Sequence, residues 1–175
     1  KTGLIVRYTN GHWYDNGDPE HGQAPRTWDS RVRFSLPDYD VFAIDANANP
    51  PAAKRSFAGV GTTLFNMAVN PASGSLFVTN TDSRNFVRFE GPGKASTTVR
   101  GHFVESRITV VKPDGTVLPR HLNKHITSYD AALGTDDERA RSLATPLDLA
   151  FRQDGSKLYV AAFGSQRIGW FTPSE

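Results

Sequence analysis

Met67-Ala68-Val69-Asn70-Pro71-Ala72-Ser73-Gly74-Ser75-Leu76-Phe77-Val78-Thr79-Asn80 aligns without a gap to Leu149-Ala150-Phe151-Arg152-Gln153-Asp154-Gly155-Ser156-Lys157-Leu158-Tyr159-Val160-Ala161-Ala162, 82 residues further on. Each copy reads as strand, tight turn with a glycine, strand. A third strand follows in the second copy, Arg167-Ile168-Gly169-Trp170-Phe171. In the first copy two segments compete for that place. Phe86-Val87-Arg88-Phe89 is the ungapped candidate. The preferred reading sets residues 82–105 aside as an insertion and joins Val78-Thr79-Asn80 to Arg107-Ile108-Thr109-Val110. Recurrence of one supersecondary unit at a fixed spacing predicts sheet modules repeated along the chain. Four-stranded propeller blades take roughly 40–45 residues, so the offset suits two blades or one blade with an insertion.

Working outward, the remaining apolar runs are also short and cut by turn residues. Leu4-Ile5-Val6-Arg7-Tyr8, Asn10-Gly11 and His12-Trp13-Tyr14 predict a hairpin with a two-residue turn. Arg31-Val32-Arg33-Phe34 alternates as a strand does, and Asp40-Val41-Phe42-Ala43-Ile44-Asp45 predicts another. Ser106 to Val111 runs through Lys112-Pro113-Asp114-Gly115 into Thr116-Val117-Leu118-Pro119, a second hairpin. Only Asp130 to Leu143 has helix-forming composition, enough for one or two turns. The predicted fold is therefore all-β: a partial β-propeller of about three blades with one long insertion. A single segment over 1–175 holds blade strands at about 3–61, 62–126 and 145–175. Closed propellers need about four to eight blades, which predicts membership of a larger ring.

Composition narrows the chemistry. The 175 residues include no Cys, which excludes disulfides, thiolate metal sites and covalent c-type haem attachment within this chain. No apolar run approaches the roughly 18 residues of a membrane span. Twenty Lys and Arg against eighteen Asp and Glu leave a net charge of +2, too little to make nucleic acid a default partner. A start at Lys1 without a leader predicts a processed form or an excised piece.

Two clusters carry candidate chemistry. Residues 94–126 hold Lys94, Arg100, Arg107, Lys112, Arg120 and Lys124 against Glu105 and Asp114, with His102, His121 and His125 among them. Arg100, His102, Glu105, Arg107, Arg120 and His121 form the candidate anion- or partner-binding set. The alternative is a set of paired charges that hold the insertion in place. The spacing of His121 and His125 suits a metal on a helix, but Leu118-Pro119 and Asn123 argue against a helix there. Asp45, Asn47, Asn80 and Asp82 are candidate oxygen ligands for a divalent cation at strand ends. Pro50 and Ser56 stand where an EF-hand needs Gly and Glu, so that motif is excluded, and turn capping is the competing role of Asp45 and Asn47. Gly59-Val60-Gly61 lacks a third glycine, and no nucleophile elbow occurs.

Phe77-Val78-Thr79-Asn80 and Tyr159-Val160-Ala161-Ala162, each after a turn with Gly, resemble the YVTN-type β-propeller repeat. Ser35-Leu36-Pro37-Asp38-Tyr39-Asp40-Val41-Phe42-Ala43-Ile44-Asp45, Phe86-Val87-Arg88-Phe89-Glu90-Gly91, Arg100-Gly101-His102 and Leu118-Pro119-Arg120-His121-Leu122-Asn123 are similar to segments of a bacterial, extracytoplasmic group of such propellers. Members of that group often occur beside a di-haem cytochrome c peroxidase-like region. The resemblance implies an exported, periplasmic or secreted scaffold that binds further blades or another domain, with haem confined to a neighbouring domain. Two other functions remain open: a metal-dependent propeller hydrolase of lactonase type, working through Asp45, Asn47, Asn80 and Asp82, and an anion- or polysaccharide-binding module working through the basic cluster.

Overall fold

The computed structural model describes residues 6–18, 21–32, 39–84, 102–127, 129 and 134–174. Leu4-Ile5, Phe34, the 86–89 segment and Arg100 lie outside them. The chain divides into two compact units, one of residues 1–37, 84–103 and 128–132, the other of 38–83, 104–127 and 133–175.

In the smaller unit, β1 (Arg7–Thr9) and β2 (His12–Tyr14) form the hairpin, with Asn10 and Gly11 both at positive φ in its turn. Of the alternation at Arg31–Phe34, Arg33 and Phe34 lie outside the described residues, and the N–H groups of Arg31 and Val32 both close turns onto the Trp28 carbonyl. Asp15, the buried residue that follows β2, organises this region. Its carboxylate accepts from the backbone N–H of Gly17 and Arg26, from the Arg26 guanidinium and from the Trp28 indole. Burial alone would raise its pKa, but these donors together bring it down to about 2.

The larger unit is built from antiparallel sheets. β3 (Val41–Asp45) pairs with β4 (Ala52–Phe57). β5 (Thr63–Val69), β6 (Leu76–Ser83), β7 (Val104–Val111) and β8 (Val117–His121) form a four-stranded meander in chain order. β9 (Pro146–Phe151), β10 (Leu158–Ala162) and β11 (Arg167–Phe171) form a three-stranded one. β7 stands third in the meander, paired with β6 from Leu76↔Val111 to Ser83↔Val104, so β7 is the strand that follows Val78-Thr79-Asn80 in the sheet. The predicted helical stretch holds α1 (Asp136–Arg141), closed by a capping box between Thr135 and Glu138.

The central sheet is covered on both faces, which explains why Leu76-Phe77-Val78 and Ile108 to Val111 are not simple apolar–polar alternations. Register puts Val78 and Val111 on one face, where they pack with Val41 and Val60. Phe77, Ile108 and Val110 point the other way, onto Leu149, Leu158 and Val160 of the β9–β11 sheet. The repeated turns also stack. Gly155, at φ +71°, sits so close to Asn70 and Ala72 of the equivalent turn that an added Cβ would overlap both.

Candidate functional site

Of the four candidate oxygen ligands, the carboxylates of Asp45 and Asp82 are engaged within the fold, whereas Asn80 is held through its Nδ2 and its Oδ1 is buried without a hydrogen-bond partner among the described residues. Asp45, at the end of β3, accepts from the Asn47 N–H at 3.1 Å in an Asx turn and pairs with Lys54 at 2.8 Å. The Lys54 ammonium, followed by the Asn47 N–H, holds the Asp45 carboxyl below its ordinary pKa. Asn80 is fully buried in β6, and its Nδ2 donates to Val78 O and to Thr109 Oγ1, each at 3.0 Å. Thr109 Oγ1 in turn donates to Val60 O at 2.6 Å. Asp82 accepts from Thr62 Oγ1 and pairs with Arg107 at 2.9 Å. Among the described residues, no three or more His, Asp or Glu side chains come together as a metal site would require.

The basic set divides between the units. His102 belongs to the smaller one, where Nη1 of Arg84 lies 3.0 Å from its Nδ1 and its ring stacks on Tyr129 with centroids 3.7 Å apart. Glu105, Arg107, Arg120 and His121 belong to the larger one. Arg107 bridges Asp82 and Glu105, which face each other directly across β6 and β7, and so neutralises two opposed carboxylates. His121 stands opposite Arg107 in register. Burial lowers its pKa; Glu105 pulls it up, while Arg107, Lys124 and His125 push it down, and the net direction is down.

Arg120 pairs in register with Ile108 and therefore leaves the sheet on the other face. There it lines a cavity of about 360 Å³. The apolar walls come from Phe77, Ile108, Val110, Leu122, Leu158 and Phe171. Arg120, His121, Lys124 and His125 supply basic groups, and Thr172 to Ser174 also line the space. The turn that carries Lys124 and His125 is held by Asn123, whose amide both donates to Leu143 O at 2.9 Å and accepts from Leu143 N–H at 2.8 Å. His125 Nε2 lies 3.1 Å from Glu138 O, which requires the proton on Nε2. The Arg120 Nε is buried with no hydrogen-bond partner among the described residues.

Lys124, His125 and the apolar walls were not part of the candidate set read from the sequence. The sequence signals toward Lys124 and His125 were the local excess of Lys, Arg and His over acids and the four-residue spacing of His121 and His125. The apolar walls are core residues drawn from both sides of the repeat, and no local pattern marks which of them border a space.

No family model and no curated protein matches this chain. Among solved structures, the chain is similar to Kuenenia stuttgartiensis hydrazine synthase at 15% sequence identity with a TM-score of 0.47; the alignment covers 70% of this chain and 28% of that one. Among the described residues no helix is long and apolar enough to cross a membrane.

Proposed function

We propose that this chain is a segment of a YVTN-type β-propeller and acts as a binding scaffold, with its next partner a further antiparallel sheet. One observation carries the reading. Phe77, Ile108 and Val110 in the first repeat are 3%, 4% and 1% exposed beneath the β9–β11 sheet. Their equivalents in the second repeat, matched by alignment and by strand register, are Tyr159, Ile168 and Trp170. These are 42%, 75% and 61% exposed. An apolar face of this kind, whose counterpart is covered within the same chain, fits a site that receives another sheet. The packing of the sheets in chain order and the edge of β11, unpaired among the described residues, support the same reading. In this reading the protein is exported, and any covalently attached c-type haem belongs to a neighbouring domain, since no Cys is available here to attach one.

The test is size-exclusion chromatography with light scattering on the full chain and on its Ile168→Glu variant. The reading expects concentration-dependent association of the chain through the open face, reduced in the variant. A stable monomer at all concentrations, unchanged by Ile168→Glu, overturns it.

A further inference from the structure

We propose that the cavity between β8 and the end of β11 is a binding site for a small organic anion: a monocarboxylate with an aryl or alkyl body. The argument begins with size. About 360 Å³ falls within the range of small-molecule pockets, roughly 300–1,000 Å³. The walls come next. Phe77, Ile108, Val110 and Leu158 are core residues held by the sheets, so the space is bounded by rigid apolar surface suited to a hydrocarbon body.

Charge then selects the ligand's polar end. Arg120 and Lys124 line this space, and neither forms an ion pair among the described residues, whereas Arg107 on the opposite face of the sheet is matched by two carboxylates. Arg120 lines this space, and a carboxylate is the group that its planar donor fork suits best. No acidic side chain lines the cavity among the described residues. A cationic ligand would therefore meet repulsion there, and a neutral one would gain no charge-assisted hydrogen bond from the two cations.

The cavity lies wholly within the larger unit, so this inference stands apart from the propeller reading. The experiment uses phenylbutanoate as the probe, with phenylbutanol and phenylbutylamine as the neutral and cationic counterparts, titrated into the full chain and followed by backbone amide NMR. Saturable shifts are expected at Arg120–His125 and Phe171–Ser174 with the carboxylate. The alcohol should bind at least roughly tenfold more weakly, and the amine more weakly still. Arg120→Gln should lose roughly tenfold in affinity; Lys124→Gln, at an exposed turn position, should weaken binding without disturbing the fold. Equal affinity for carboxylate and alcohol, shifts confined to other regions, or wild-type affinity in Lys124→Gln and a folded Arg120→Gln overturns the proposal.

Discussion

Asn66 and Asp148 occupy equivalent positions in the internal repeat and are hydrogen-bonded to each other across adjacent sheets, Nδ2 of Asn66 donating to Oδ1 of Asp148 at 2.6 Å. Each also accepts through its own Oδ1 from the next backbone N–H, that of Met67 or Leu149. One side-chain geometry is thus used twice, and the two copies meet. Asp148→Ala removes the charged acceptor and should cost about 1–2 kcal/mol in denaturant unfolding. Asp148→Asn keeps an acceptor oxygen and should cost less. Asn66→Asp sets two carboxylates against each other and should be the worst of the three at neutral pH, with its deficit shrinking in acid.

The Asn80–Thr109–Val60 relay makes a separate prediction about Gly61. Its Cα lies against the Asn80 side chain, and an added Cβ would overlap Oδ1. Gly61→Ala should therefore destabilise the protein by about 1–3 kcal/mol through overpacking. In the Asn80→Ala background the same substitution should cost less but not nothing, because the Cβ that alanine keeps would still stand 2.9 Å from the added one. A double-mutant cycle measured by chemical unfolding reads this coupling directly. Additive costs would show that the close approach has no energetic weight.

Thr109→Val tests the relay from its centre. The substitution preserves shape but leaves Val60 O and one Asn80 N–H buried without a partner. A loss of about 2–3 kcal/mol is expected, larger than for removal of an exposed hydroxyl.

Arg107 should act mainly by separating Asp82 from Glu105. Arg107→Gln is expected to cost about 1–2 kcal/mol, and Glu105→Gln added to it should restore most of the loss. Failure of that rescue would mean that packing of the Arg107 stem, not charge, sets its contribution.

Asp15 gives the acid-stability prediction. Its pKa is 3.8 in the unfolded reference and about 2 in the fold. A carboxyl depressed in this way adds stability that is present above the unfolded value and lost as the pH falls through the folded one. Asp15→Asn should cost about 2 kcal/mol at pH 7, followed through the indole signal of Trp28. That gap should narrow between pH 4 and pH 2, where the wild-type carboxyl takes up its proton.

Much of the fold could be read locally. The Asn10-Gly11 hairpin, β3, the β7–β8 hairpin and the two copies of strand–turn–strand are each specified by residues within a few positions, through alternation and through turn residues that tolerate positive φ. β4 was not legible, because Ala52 to Ser56 is exposed and carries no apolar alternation; its pairing with β3 and its anchor at Phe57 define it. Among the candidate residues, Asp45 and Asn47 could be read as an Asx turn because the bond spans two positions. The roles of Arg107 and Arg120 could not be read. They lie on different strands, and only register decides that one meets two carboxylates while the other lines an apolar space.

By itself, then, the order of residues determined the all-β character, the turns and the duplication, since these depend on short-range steric and periodic constraints. Tertiary structure alone decided which strand completes the first repeat, which repeated face is covered and which is bare, and which cations share a cavity. Those outcomes depend on contacts between residues distant in sequence, and no local pattern encodes such distances.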